Sequence, residues 1–354
     1  MEKILLAWLI LGFAGCEVLE KSGNAAEKPP ETLRIVTWNV QTLFDGDETG
    51  AEYDEYRSSA GWTDEKYKAR LNTLALAVEK MTEPAPDILG LMEVENPRVL
   101  EDILQGPLAK KGYGWSFFGI NPGAPLGIGI LSRFPFEETL LHSITLNGET
   151  APRPMLEIRL LVKDSPLICM VCHWKSKREG EDATESLRKA SARLIVRRLQ
   201  ELKQENPAIP VIVMGDLNEN YDEFYRRESG ITSALLPDVP EVAARIGDTQ
   251  ADFLILSGKK PPEPEFCASD GAILYSPWGE ELEEGSYYFR NAWETIDHFL
   301  LSGALFDRTG WDFHSCRVIK QEPFLKDDKP YAYNPRTGNG FSDHLPLLLT
   351  LTLQ

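Results

Sequence analysis

The sequence predicts an α/β fold of the α+β type, in which β-sheets with antiparallel pairing pack against amphipathic helices. Short apolar runs rich in β-branched residues occur along the chain together with two helical patterns, over Tyr67–Met81 and Glu185–Gln204. Four of the apolar runs end on a polar or ionisable residue, and two begin on one. These six ends can share one rim only if the two groups of strands run in opposite directions, which requires antiparallel pairs.

The strands are predicted from alternation and from continuous apolar runs bounded by turn residues. In chain order they are Leu33–Val40, Asp87–Glu93, Gly127–Ser132, Met155–Val162, Leu167–Cys172, Val211–Asp216, Asp297–Ser302 and Leu345–Leu353. A further helix is predicted over Val99–Lys111, and Asp64 is predicted to cap the helix that precedes it. The segment 221–288, rich in Pro, Gly and Glu, is predicted to be an irregular insertion over the core.

The stretch Val211–Asn220 carries the clearest chemical signal. Gly215 is predicted to end a buried strand, so that Asp216 and Asn218 point out of the sheet edge as a carboxylate and an amide. The alternative is that both residues only shape an Asx-turn after the strand.

The first residues resemble an export signal. Met1–Gly15 contains Lys3 and then an apolar run too short to span a bilayer. Its end, followed by Cys16, resembles a bacterial lipobox, which predicts a lipid anchor on Cys16 and a tether over residues 16–31. The alternative is ordinary signal cleavage. Either way the protein is predicted to be exported, as a membrane-anchored lipoprotein or as a periplasmic or extracellular protein.

Four cysteines remain beyond Cys16: Cys169, Cys172, Cys267 and Cys316. An even number in an exported chain allows two disulfides with three connectivities. Cys169 and Cys172 lie inside an apolar run without a second matching pair, so buried thiols or structural bridges are favoured over a zinc or redox site.

The charge is strongly negative but uneven. The net charge is −18, which excludes bulk attraction to nucleic acid. Residues 219–290 hold 15 acidic and 6 basic residues, whereas His173–Arg198, here named the basic stretch, holds 8 basic and 4 acidic residues. Most arginines of the helix in this stretch, Arg188 among them, are predicted to lie on a solvated face.

Six short motifs resemble, in order, those of the endonuclease/exonuclease/phosphatase superfamily, the fold of pancreatic deoxyribonuclease. They are Thr37-Trp38-Asn39, Leu91-Met92-Glu93, His173, Gly215-Asp216-Leu217-Asn218, Ile296-Asp297 and Ser342-Asp343-His344. His173–Lys177 and Gly285–Arg290 are similar to secreted and surface-anchored bacterial members. The resemblance implies a four-layer α/β sandwich, two mixed sheets face to face with helices outside, in one domain over residues 32–354.

The resemblance also implies phosphoester hydrolysis with a divalent cation. Mg²⁺ or Mn²⁺ is expected, with Ca²⁺ as a further candidate. Asn39, Glu93 and Asp343 offer the hard oxygen ligands that suit such ions, and Glu93 is expected to hold the metal.

The same resemblance implies roles for the remaining motif residues in the attack of water on phosphorus. Asp216 would orient and deprotonate the water, and Asn218 would position water and phosphate. His344, held by Asp297 in a carboxylate–imidazole pair, would face a phosphoryl oxygen. His173 would be a second phosphate contact or the proton donor to the leaving oxygen.

This chain departs from the family pattern before the middle strand. In the deoxyribonuclease-like branch a carboxylate there partners the first histidine, whereas Ala151–Met155 contains no acid beside Arg153. The departure weakens the case for His173 as general acid. Arg153 could bind phosphate or be structural, and Lys175 is a further candidate phosphate ligand.

The function predicted from these residues is a metal-dependent endonuclease or exonuclease of the cell envelope, with DNA as substrate more than RNA and no obligate protein partner. The basic stretch and exposed aromatic residues such as Trp174 or Trp115 would hold a strand. Two alternatives stay open. One is a phosphomonoesterase or a phospholipid head-group phosphodiesterase, with Tyr113–Ile120 as its apolar loop, and the other is a lipoprotein that binds without catalysis.

Overall fold

The computed structural model describes residues 31–226, 233–263, 265–267 and 272–354. The predicted signal peptide over residues 1–15, Cys16 and the tether up to residue 30 lie outside the described residues. Their export and lipid anchoring therefore stay predictions.

The strands are numbered here in chain order. They are β1 (Thr32–Leu43), β2 (Ile88–Val94), β3 (Trp115–Gly119), β4 (Gly127–Ser132), β5 (Phe136–His142), β6 (Thr145–Leu146), β7 (Glu149–Thr150), β8 (Met155–Val162), β9 (Ser165–His173), β10 (Val211–Asp216), β11 (Leu235–Pro237), β12 (Leu254–Ser257), β13 (Ala272–Tyr275), β14 (Tyr287–Phe289), β15 (Ala292–Glu294), β16 (Asp297–Leu301), β17 (Trp311–Val318), β18 (Leu325–Lys326), β19 (Lys329–Pro330) and β20 (Leu347–Leu353).

The α-helices of the described residues are α1 (Asp64–Met81), α2 (Pro97–Gln105), α3 (Glu181–Glu205), α4 (Glu223–Arg226) and α5 (Pro240–Ile246). The N-cap of α1 is Thr63, whose hydroxyl accepts from the Lys66 amide, and not Asp64 as predicted. α2 ends at Gln105, so the helix predicted up to Lys111 is shorter than expected. Across the residues that the structure describes, no helix is both long and apolar enough to cross a bilayer.

Two large sheets form the centre of the fold. The first has the order β17-β20-β1-β2-β4-β3, and the second has the order β11-β12-β13-β16-β10-β9-β8-β5. Each is mixed, because β1 pairs in parallel with β2 and β9 with β10 while most other neighbours are antiparallel. The predicted combination of mixed sheets and antiparallel pairs is confirmed.

The two sheets pack face to face over a buried apolar layer. Met92 and Ile130 of the first sheet and Val171 and Met214 of the second belong to this layer. α1 and α2 cover the outer face of the first sheet, and α3 covers the outer face of the second. The predicted four-layer sandwich is therefore confirmed, since burying both faces of each sheet requires helices outside.

The segment 221–288 is less irregular than predicted. It contributes β11, β12 and β13, which extend the second sheet as three parallel strands. A small separate core, including Leu236, Ile255 and Cys267, packs under them. Strands of three or four residues are too short to show a hydrophobic period, so no strand could be predicted here from the pattern of apolar residues.

The four described cysteines are free and buried, so the alternative of buried thiols is confirmed and the two disulfides are not formed. Cys169 and Cys172 are three residues apart on β9, so they point to opposite faces of the sheet and pack in different cores. Burial raises the pKa of each of these two thiols to about 12.

A buried carboxylate joins three elements of the second sheet. Glu157 on β8 accepts from His142 on β5 at 2.9 Å and from Arg198 on α3 at 2.8 Å. Burial alone would raise the pKa of Glu157, but the hydrogen bonds from His142 and Arg198 lower it to about 2. Because this pKa lies below the ordinary 4.5, ionised Glu157 contributes stability above about pH 4.5 that is lost as the pH falls toward 2.

We expect Arg198→Met to lower the free energy of unfolding by about 2–3 kcal/mol at pH 7 and by much less at pH 2, where Glu157 is losing its charge. Denaturant unfolding at both pH values measures this difference. Arg197→Met is the matched control, since the neighbouring Arg197 side chain is 67% exposed. An equal loss at the two pH values would assign the effect of Arg198→Met to packing instead of charge.

Candidate active site

The strand registers bring the predicted site residues to one rim of the sandwich. Asp216 ends β10, opposite Asp297 at the start of antiparallel β16 and beside His173 at the end of parallel β9. In the first sheet, Asn39 of β1 lies opposite Met92 of β2, next to Glu93. The opposed strand directions expected from the sequence are those observed.

Gly215 acts differently from the prediction. β10 continues through Gly215 to Asp216 instead of ending at the glycine. The glycine is needed because its φ is +139° and because a Cβ there would lie 1.8 Å from the Cys172 carbonyl oxygen. The close approach of β9 and β10 at this point sets His173 next to Asp216.

Asp216 closes the predicted Asx-turn with one carboxylate oxygen and directs the other oxygen toward the site residues. Oδ1 accepts from the Asn218 amide at 3.0 Å, which is the Asx-turn. Oδ2 accepts from the Asn39 side-chain amide at 3.1 Å and lies 3.5 Å from His173 Nε2. The turn thus orients the carboxylate while its second oxygen faces the other site residues.

Asn39 links the two sheets across the cleft. Its Nδ2 donates to Glu93 Oε1 at 3.2 Å as well as to Asp216, and its Oδ1 accepts from the Gln41 amide. Glu93 has a positive φ of 66° and accepts from the Thr42 amide through Oε2. Asn39 therefore acts here as a donor between two carboxylates, and its oxygen is already engaged.

Asp297 and His344 form the predicted carboxylate–imidazole pair. His344 Nδ1 lies 2.8 Å from Asp297 Oδ2, which also accepts from the Ser286 hydroxyl at 2.6 Å. The Trp38 indole donates to the His344 carbonyl, and His344 Nε2 is directed toward Asp216 Oδ2 at 4.0 Å. The imidazole is thereby held by Asp297 at Nδ1, with its Nε2 turned toward Asp216.

The pKa values of Asp216 and His344 are both raised, for different physical reasons. Burial raises the pKa of Asp216 to about 7, and the charge of His344 opposes this rise while Asp297 adds to it. Burial by itself would lower the pKa of His344, but the charge and hydrogen bond of Asp297 raise it to about 10. At neutral pH, His344 is an imidazolium and Asp216 is poised to exchange a proton.

His173, Asn218 and Arg153 meet beside Asp216. Burial, together with the positive charges of Arg153 and His344, lowers the pKa of His173 well below its ordinary value, so this imidazole is neutral. Arg153 donates to the carbonyls of His173 and Trp174, and Asn218 donates to the Trp174 carbonyl at 3.3 Å. The guanidinium of Arg153 thus lies beside His173, and it comes from the part of the sequence where the family pattern has a carboxylate.

Two expectations about the basic stretch need correction, and a third, phosphate binding by Lys175, stays a prediction. The Lys175 ammonium is paired with Glu179 at 2.6 Å. Trp174 is buried, so of the two predicted aromatic residues only Trp115 is exposed, at 40%. Arg188, predicted to be solvated, is fully buried and donates to Glu185 and Glu219.

The segment Tyr113–Ile120, predicted as an exposed apolar loop, has a different structure. Tyr113 is buried, and Trp115–Gly119 is the edge strand β3 of the first sheet. This removes the apolar loop on which the phospholipid alternative depended.

Several site residues were missed by sequence reasoning. Arg178 is exposed, and its charge opposes the rise that burial causes in the pKa of Asp343 and of Tyr287, which places this guanidinium within electrostatic reach of the cleft. Ser286 holds Asp297, and Tyr287 stacks on His344 with ring centroids 4.5 Å apart. The only available signal for Ser286 and Tyr287 was their place in the motif Gly285–Arg290.

The cleft offers donors that fit a hard divalent cation. Glu93 and Asp343 are carboxylates, and burial raises the pKa of Asp343, with His344 opposing the rise and Glu93 adding to it. This repulsion between like charges is what a cation would relieve. Within the described residues, the ligand atoms of Asp216, Asp297 and His344 also lie within 4.8 Å of one another. A protonated His344 has no lone pair for a metal, so this trio suits charge stabilisation better.

A mixed two-sheet sandwich with carboxylates and histidines gathered on one rim is the architecture of phosphoester hydrolases of the nuclease, phosphodiesterase and phosphatase type. A family model described as "Endonuclease/Exonuclease/phosphatase family" matches residues 34–230, more than half of the chain. This chain belongs to that family, as its six motifs predict. Membership of a bacterial secreted branch stays a prediction.

Solved structures share the fold at low sequence identity. An endonuclease/exonuclease/phosphatase family protein from Bacteroides thetaiotaomicron has 17% identity and a TM-score of 0.53, covering 92% of this chain and 96% of its own. The human Nocturnin catalytic domain with bound sulfate has 17% identity and a TM-score of 0.52, covering 91% and 95%. D. rerio TDP2 complexed with single-strand DNA product has 16% identity and a TM-score of 0.51, covering 91% and 99%. No curated protein sequence matches this chain.

Proposed function

We propose that this protein is a metal-dependent phosphodiesterase that hydrolyses nucleic acid, with DNA preferred over RNA. The observation that carries the proposal is the buried pair of Asp297 and cationic His344 facing Asp216, which is linked through Asn39 to Glu93. Such a site combines a proton acceptor, a fixed positive charge and carboxylates suited to a divalent ion. Water attack on a phosphorus centre requires these three components.

Glu93 and Asp343 are the residues proposed to hold Mg²⁺ or Mn²⁺, with Ca²⁺ as a further candidate, while Asn39 bridges Glu93 and Asp216. Bound there, such an ion would supply neutralisation of the charge on the phosphoryl oxygens.

The side chains of this chain then have separate tasks. Asp216 takes a proton from the attacking water, whose oxygen forms the new bond to phosphorus as the P–O bond to the leaving group breaks; the leaving oxygen departs as an oxyanion and takes a proton from solvent water. Asn218, on the turn closed by Asp216, positions the water and the phosphate. The His344 imidazolium faces a phosphoryl oxygen. His173 is neutral, which favours a phosphate contact over the role of proton donor.

Two arginines are proposed to bind the other phosphates of the nucleic-acid strand. Arg153 and Arg178 lie by the cleft and act on the pKa of the site residue His173. Their position supports the binding of a phosphate backbone despite the net charge of −18. The neighbour TDP2 complexed with single-strand DNA product supports the same substrate class. Export and lipid anchoring through Cys16 remain part of the proposal.

A substrate panel tests the proposal. Single-stranded DNA, plasmid DNA, RNA, nucleotides, inositol phosphates and sphingomyelin are incubated with Mg²⁺, Mn²⁺ or Ca²⁺. We expect divalent-dependent cleavage of DNA that EDTA abolishes. Glu93→Gln should lower the rate by about 10²–10³-fold, because it removes a charge from the ion site while keeping its shape.

The control for Glu93→Gln is Glu95→Gln, since the buried Glu95 lies two residues further along the chain than the half-buried Glu93. Release of phosphate from nucleotides or cleavage of sphingomyelin, without DNA cleavage, would replace the nuclease by one of the other phosphoesterases. No hydrolysis of any substrate with any of the three ions would favour the non-catalytic alternative.

A further inference from the structure

A short hairpin borders the active site beside His344. β14 and β15 are joined by the two residues Arg290 and Asn291, which both have a positive φ, of 49° and 66°. Two such residues form the tight type of turn whose twist matches the flanking strands. The hairpin is therefore a defined element and not a loose loop.

The base of the hairpin is fixed to the catalytic pair. The Leu345 amide donates to the Ser286 carbonyl at 2.7 Å, and Tyr287 forms a bridge with His344. The Ser286 hydroxyl holds Asp297. The side chains of the hairpin are therefore held at a constant position relative to His344 and to the phosphate that it faces.

The two faces of the hairpin have different surroundings. Tyr288 and Trp293 lie opposite each other on one face, and Trp293 packs against the apolar core beneath the first sheet. Tyr287 and Phe289 alternate with them and so occupy the other face. Strand periodicity thus puts two aromatic rings on the side that includes His344.

These rings continue the stack that begins at His344. The Tyr287 ring lies 4.5 Å from the His344 ring at an interplanar angle of 25°, and the Phe289 ring lies 6.0 Å from the Tyr287 ring at 16°. The rings are therefore nearly parallel from the imidazole outward. Tyr287 is half-buried by this arrangement, whereas Phe289 is 46% exposed.

The outer ring of the stack is partly exposed, and a cation lies over it. The residue opposite Phe289 on β15 is Ala292, whose small side chain leaves the ring uncovered on that strand. The Arg290 guanidinium lies 5.0 Å from the centre of the Phe289 ring. An exposed aromatic face next to a guanidinium is suited to a flat ring attached to a phosphate.

We propose that Phe289, with Arg290, forms a base-stacking subsite that binds the nucleobase of a nucleotide next to the phosphate being cleaved. This inference rests on the proposed function, and it adds how the protein binds the nucleic-acid strand outside the phosphate being cleaved. A nucleobase fits this subsite because the rings of His344, Tyr287 and Phe289 follow one another and are nearly parallel. The series begins at the imidazole that faces the phosphate. Stacking accepts every base, so the subsite contributes affinity without sequence readout.

The test compares two single-stranded oligonucleotides of equal length. One carries ordinary bases, and the other carries tetrahydrofuran residues in place of every nucleoside, so that it has the same phosphates without bases. We expect Phe289→Ala to lower kcat/KM for the base-bearing strand by about tenfold and to leave kcat/KM for the abasic strand unchanged. Phe289→Trp should keep the activity on both strands.

Phe266→Ala is the matched control, because Phe266 is 45% exposed and belongs to the segment that packs with β11 and β12. It should change neither rate. An equal loss on both strands by Phe289→Ala would make Phe289 a structural residue, and no loss on the base-bearing strand would remove the subsite; either result overturns the inference. If the unaltered protein cleaves neither strand under any of the three divalent ions, the proposed function fails and this inference fails with it.

Discussion

Asp216→Asn is expected to lower kcat for phosphodiester hydrolysis by about 10³-fold, because an amide cannot take the proton of the attacking water. The substitution keeps the size of the side chain, and its oxygen can still accept from the Asn218 amide, while the hydrogen bond from Asn39 to Oδ2 is lost. We therefore expect a correctly folded variant. Steady-state kinetics on the best substrate of the panel measure the loss.

The same substitution should not reduce stability. Burial raises the pKa of Asp216 to about 7, above its ordinary 3.8. A carboxylate with a raised pKa costs stability once the pH exceeds its ordinary value, so a neutral amide relieves that cost. The thermal midpoint of Asp216→Asn at pH 8 should equal or exceed that of the unaltered protein.

Asp312→Asn is the matched control for this prediction. Asp312 is also buried, and its Oδ1 likewise accepts from a backbone amide, that of Arg308 at 3.0 Å. It lies on β17, and its substitution should leave kcat unchanged. If Asp216→Asn retains more than a tenth of the activity, another group must accept the proton.

The second large effect concerns the buried Arg188, which lies beneath the site on α3. Arg188 donates to the carboxylates of Glu185 and Glu219 and to the Lys175 carbonyl at 3.1 Å. Glu219 directly follows Asn218, and its carbonyl is 2.8 Å from His298 Nε2. One guanidinium thus joins the segment after His173, the turn after Asp216 and the strand that begins at Asp297.

Arg188→Met is expected to lower the free energy of unfolding by about 3–5 kcal/mol, because two buried carboxylates keep their positions without the cation. Burial raises the pKa of Glu219, and the charge of Glu185 adds to that rise, so ionised Glu219 already carries a cost. In the folded fraction, kcat should fall by about tenfold or more, since the turn bearing Asn218 loses its support. Denaturant unfolding and kinetics below the unfolding transition measure the two effects.

Two further variants separate this network from a general effect of losing an arginine. Arg193→Met removes an exposed arginine from the same helix and should change stability by less than about 0.5 kcal/mol. Adding Glu219→Gln to Arg188→Met should restore part of the lost stability, because it removes one uncompensated charge. A loss in Arg188→Met no larger than that in Arg193→Met would contradict the role given to the network.

The sequence allowed the strands of the central sheets and their shared rim to be predicted. Val211–Asp216 and Met155–Val162 carry enough apolar residues to show their period, and both are strands at those positions. The polar ends of the strands were sufficient to infer opposed directions, because side chains can meet only where strand ends meet. Asp297 beside His344 follows from the same argument together with the family resemblance.

Other features could not be read from local patterns. Arg188 was placed in solvent because arginines on a helix are normally exposed, and only the packing of α3 against Glu219 makes its burial favourable. Trp174 was expected to be exposed for a similar reason. β11 to β13 are too short for a period, and the pairing of Lys175 with Glu179 depends on the turn between them.

By itself, the sequence determined which residues can do chemistry and in which order the chain delivers them to a common edge. The tertiary structure decided which atoms face each other: it engages the oxygen of Asn39, and it raises the pKa of His344 by enclosing Asp297 with it. The physical reason is that residue type and spacing are local properties. Burial, hydrogen-bond direction and pKa depend on neighbours that are distant in the chain and meet only after the two sheets have packed.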